Sequence, residues 1–209
     1  MIARPAIRTA RLSWALTVAL IASGAAMPLA QAGRIEPAEV RCPSVLGVGV
    51  ATDIAFCDVL IQEEPGLGVM VVLPPRRGEA TLAFNLHNRH AYSGEEVEAG
   101  RGYARYLAEV AVASMEAAVL ARRYVLSEFR TARDLVDRVG GGAGAEGLKA
   151  IAPTGRERVY VTIPAELDQV AIVGQSLEVL RFDGSRDRVR SLGRPVAVIS
   201  EVQLEYEPR

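Results

Sequence analysis

From about residue 40 onward, apolar and polar residues alternate over short runs separated by glycine, proline and aspartate, the pattern of half-buried strands rather than of helices. The cleanest run is 81–87, where Leu82, Phe84 and Leu86 fall on one face and Thr81, Ala83 and Asn85 on the other. Near the C-terminus, Val202, Leu204 and Tyr206 alternate with Glu201, Gln203 and Glu205, as in an antiparallel strand with one wet face. Similar runs place strands over 45–50, 56–61, 69–73, 159–163, 169–173, 176–182, 188–192 and 196–206. Pro74 and Pro75 close the third of these, because proline cannot donate into a sheet ladder.

The stretch 103–127 has two readings. It is rich in alanine, the best helix former, yet valine and tyrosine recur at period two. A hairpin is expected, with its turn near Ala117 and with Val110 facing Tyr124, Ala108 facing Leu126 and Tyr106 facing Glu128. Thr131-Ala132-Arg133-Asp134 has the form of a capping box, which predicts one short helix over 132–139, stopped by Gly140. Nine or ten short strands without alternating helices fit two packed antiparallel sheets, so the expected fold is an all-β sandwich, immunoglobulin-like or jelly-roll in its connections. No internal repeat is visible.

The N-terminus carries Arg4, Arg8 and Arg11 without an acid, then an apolar run to about Leu29, then Ala30-Gln31-Ala32. This is the layout of a secretory signal peptide, 1–32, with cleavage after Ala32. Thr17, Ser23, Gly24 and Pro28 dilute the run below what a membrane-spanning helix wants, so no membrane span is expected after cleavage. A single domain, 33–209, would remain, long enough to bury one core. Its expected location is the periplasm or the medium. Cys42 and Cys57 are the only cysteines, and in an oxidising compartment they are expected to form a structural disulfide, since no closely spaced C-x-x-C pair exists.

Loss of the leader takes the formal net charge from −1 to −4, against a nucleic-acid partner, which would want a concentrated basic face. Gly142-Ala143-Gly144-Ala145-Glu146-Gly147 matches G-x-G-x-x-G by letter only. What precedes it is the charged stretch 133–138 rather than a buried parallel strand, so it reads as a surface loop, and no cofactor is expected.

Both histidines fall in the segment FNLHNRHAYS, 84–93. Residues three apart on a strand point to opposite faces, so His87 and His90 converge only if the chain turns there. Read as a polar loop ending a strand at the rim of a sandwich, the segment offers His87, Asn88, Arg89, His90 and Tyr92 as ligand-contacting residues. A turn would alternatively permit a metal site or metal-dependent hydrolase on His87 and His90, completed by carboxylates such as Glu79, Glu95 or Glu96. A catalytic version would pair a histidine with Ser93 or water and with Asp53 or Asp58, but no G-x-S-x-G elbow is present. The expected role is therefore a non-catalytic binding or interaction domain of the bacterial-type cell envelope, with an unknown protein or glycan as partner. The other alternative is a structural envelope component that assembles with itself through a free sheet edge.

Overall fold

The computed structural model describes residues 33–139 and 149–209. The expected signal peptide and the glycine-rich motif lie outside these residues. Strands follow one another as β1 (Arg34–Pro37), β2 (Glu39–Arg41), β3 (Val45–Val48), β4 (Ala55–Leu60), β5 (Val69–Val72) and β6 (Arg76–Ser93). After the short helix α1 (Gly94–Glu98) come β7 (Ala104–Ser114), β8 (Val119–Phe129), β9 (Lys149–Ile163), β10 (Gln169–Arg181), β11 (Arg186–Val189) and β12 (Pro195–Pro208). They form two antiparallel sheets packed face to face. One has the order β3-β4-β12-β6-β9 with β1 beside β12; the other has β2-β5-β10-β7-β8 with β11 beside β10.

The core is what the alternation implies. Leu82, Phe84 and Leu86 of β6 meet Ala108, Val110 and Val112 of β7 and Val170 and Ile172 of β10, all of them fully buried. Each large side chain removed from water in this way contributes about 1.5–3 kcal/mol before chain entropy is subtracted. The two sheets are tied along both flanks. On one flank Cys42, just after β2, is bonded to Cys57 of β4, with Cα atoms 5.9 Å apart. On the other, Arg123 of β8 donates to the Tyr160 carbonyl of β9 at 3.0 Å, and the hydroxyls of Ser127 and Thr154 lie 3.2 Å apart.

Several expectations shift in detail. The hairpin of β7 and β8 forms, but Val110 faces Arg123, Ala108 faces Val125 and Tyr106 faces Ser127, one residue away from the expected pairing. The turn explains the slip: Ala117 adopts φ 66°, in the left-handed region, and the register changes at Val112/Ala113. Val125 and Phe129 therefore enter the core, while Tyr124 and Leu126 are exposed. The runs 169–173 and 176–182 are a single strand, β10, whose register shifts between Gly174 and Ser176. A Cβ at Gly174 would lie 2.5 Å from Val196 Cγ2 and 3.0 Å from the Leu60 backbone, so glycine there permits close approach rather than a turn.

The capping box at Thr131 is present, but it starts one 3-10 turn, Ala132–Asp134, and not a helix over 132–139. Leu135 and Val139 instead bridge to Thr154 and Ile151 of β9, extending the chain along that edge. Asp137 accepts from Ala51, Thr52 and Arg138 amides and from the Thr52 hydroxyl, which fastens this segment over the outer face of the first sheet. The α-helix among the described residues is α1, where the Ser93 hydroxyl accepts from the Glu96 amide at 3.5 Å.

Candidate functional site

The segment 84–93 does not turn. It continues as β6 to Ser93, paired with β12 as far as Asn88 and with β9 throughout, and His87, Asn88 and His90 are buried. The expected polar loop is thus strand, with Asn88, His90 and Tyr92 buried while Ala91 on the other face is exposed. His87 and His90 point to opposite sides of it, so the metal centre built on the pair has no geometric basis. Glu79 lies near the other end of the strand, and Glu95 and Glu96 lie on α1. No group of three metal-ligating side chains occurs among the described residues.

His87 faces outward, under Phe56, whose ring meets the imidazole edge-on at 5.7 Å between centroids. The Gly155 carbonyl, 2.6 Å from Nδ1, can only accept, so Nδ1 carries the hydrogen and Nε2 accepts from the Ser200 hydroxyl at 3.0 Å. Gly155, at φ +68°, forms the bulge of β9 that presents this carbonyl. Burial pushes the His87 pKa down, partly opposed by that carbonyl, and the ring stays neutral. The serine–histidine contact was not legible in the sequence. Ser200 is 3% exposed, so the contact satisfies two buried polar groups rather than presenting a nucleophile.

Asn88 faces the second sheet, where its amide donates to the Val125 carbonyl at 3.1 Å and the Ser127 hydroxyl at 2.8 Å. It fastens the two layers internally. Tyr92 packs edge-on against Phe129, and the Arg138 guanidinium lies 4.6 Å above its ring. Asp58 is held by Arg89 at 3.0 Å; burial raises its pKa against the pull of that arginine. Asp58, Asp53 and Ser93 therefore assemble no catalytic group around either histidine.

Of the five expected contact residues, Arg89 and His90 line an open cavity, and His87, Asn88 and Tyr92 do not. This mouth of about 460 Å³ opens between the sheets where β6 passes into α1, beside the start of β7 and the ends of β10 and β11. Its floor is Tyr106, Phe129, Leu177 and Val179, and its rim carries Arg89, Arg101, Arg181 and Arg194, with Glu96 as the one acid. His90 sits in the floor, stacked on Phe129 with centroids 4.0 Å apart, and its Nδ1 shares a hydrogen bond with the Tyr106 hydroxyl.

Burial lowers the His90 pKa to about 4 and raises that of Tyr106 to about 12, so both are neutral near pH 7. His90 Nε2 makes no hydrogen bond to a described residue and opens onto the mouth. Among the floor residues only His90 was singled out by the sequence, because Phe129, Leu177 and Val179 belong to strands remote from it in the chain. Compared with known protein families, with curated proteins and with solved structures, the chain matches none.

Proposed function

We propose that this protein is an exported, non-catalytic binding module of the cell envelope, with the mouth between its two sheets as the ligand site. The observation that carries this reading is His90. His90 is bonded to Tyr106 through Nδ1, while Nε2 has no partner among the described residues and stays open to the mouth, where it can meet a ligand. A cavity of this size, apolar at its floor with a few polar groups at its rim, suits a small molecule or the terminal group of a larger envelope protein or glycan. The leader and the Cys42–Cys57 disulfide support export.

The test is isotope-labelled protein 33–209 titrated with the soluble fraction of an envelope extract and followed by NMR. Resonances of His90, Leu177 and Val179 should move, and Val179→Arg, which fills the mouth from a half-buried floor position, should abolish the movement. Unchanged floor resonances would refute the reading. Expression of the full chain should yield a mature N-terminus at Gly33 in the exported fraction, and an uncleaved product in the cytoplasm would refute export.

A second reading, self-assembly, is favoured by β3, an edge strand with Val45 74% and Val48 53% exposed and no charged residue. Sedimentation should then show a dimer that Val45→Lys converts to monomer; a monomeric parent protein at all concentrations excludes it.

A further inference from the structure

We infer that the mouth is selective for a singly charged carboxylate carried on an apolar body, such as a medium-chain aliphatic acid. This rests on the binding-module reading and specifies its ligand. The polarity of the floor comes first. A phenol is the better donor and an imidazole nitrogen the better acceptor, so Tyr106 donates to His90 Nδ1, and the neutral tautomer places the remaining hydrogen on Nε2. The floor thus offers a donor, and the ligand group that meets it is an acceptor.

The charge balance fixes how negative that acceptor is. Arg89 is engaged by Asp58 at 3.0 Å, Arg101 by Glu96 at 3.0 Å, and Arg181 by Asp187. Arg194, one residue before β12, makes no ion pair with a described residue. One uncommitted cation and one neutral donor match a monoanion. A dianionic phosphate would bring a second charge out of water without a partner, which is strongly unfavourable. The apolar part of the ligand follows from Phe129, Leu177 and Val179, against which a hydrocarbon body is removed from water.

The experiment is calorimetric titration of protein 33–209 at pH 7 with decanoate, 1-decanol, acetate and decyl phosphate, each below its micellar or solubility limit. Decanoate should bind one to one, at least tenfold more tightly than decanol or decyl phosphate and at least a hundredfold more tightly than acetate. Arg194→Gln, on the exposed rim, should weaken decanoate at least fivefold and leave decanol unchanged. Equal affinity for decanoate and decanol, no effect of Arg194→Gln, or tighter binding of decyl phosphate would each overturn the inference. If decanoate leaves the floor resonances unmoved while envelope extract shifts them, the carboxylate assignment fails and the binding module stands. If neither shifts them, both fail.

Discussion

His90 and Tyr106 join the two sheets through one hydrogen bond, between Nδ1 on β6 and the hydroxyl on β7, at the floor of the mouth. Removing the hydroxyl with Tyr106→Phe strands a buried nitrogen. Denaturant unfolding should show a loss of about 1–3 kcal/mol. A change below a few tenths would mean the bond contributes nothing to folding.

The same burial makes stability depend on pH. His90 titrates near 4 in the folded protein against 6.5 when unfolded, so between these values the unfolded chain binds more protons. Stability contributed by neutral His90 is complete above pH 6.5 and is lost as pH falls towards 4, by up to about 3 kcal/mol. His87, also shifted down, acts in the same direction. Thermal melts from pH 7 to pH 4.5 should fall less steeply for His90→Gln than for the parent; parallel curves would contradict the assignment.

Asp58 is 7% exposed in its side chain, and Arg89 is its one cationic partner among the described residues. Arg89→Met leaves a buried carboxylate uncompensated. We expect a loss of about 2–3 kcal/mol at pH 7, smaller at pH 4 where the carboxyl can take up a proton. An equal loss at both values would assign the effect to packing of the arginine stem.

Reduction of the Cys42–Cys57 bond should lower stability by about 3 kcal/mol, read as the difference between melts with and without reductant. Thiol titration of unreduced, exported protein should find none free.

Gly174→Ala should destabilise by about 1–3 kcal/mol, because its new methyl group meets Val196 and the Leu60 backbone. Gly66→Ala, where nothing lies nearer than Met115 Cε at 4.0 Å, provides the comparison and should change stability by less than about 0.5 kcal/mol. Similar effects at both sites would contradict the close approach of the sheets.

Alternation made the sandwich legible where one face of a strand is wet, as at the end of β12, and also over 81–87, where Ala83, Asn85 and His87 on the second face are nevertheless buried. It failed at 88–93 because the inward positions there, Asn88 and His90, are polar, and buried polar residues with specific partners look, in one dimension, like a loop. Asn88 and His90 are polar because they reach across to β7 and β8, a relation that neighbouring letters do not encode. The register of β8 was hidden by a non-glycine residue in the left-handed region, Ala117, where sequence patterns expect glycine. The capping box at Thr131 was readable because its partners are three residues apart. What followed it was not, because distant Ile151 and Thr154 capture that segment. The mouth draws on β6, β7, β8, β10 and β11, so no contiguous motif could announce it.

The covalent tie between β2 and β4 and the polar seam between β8 and β9 hold the layers at a fixed spacing on opposite sides. Entry of the proposed ligand would therefore demand little rearrangement, and association should be fast, with differences between ligands expressed in how long each one stays.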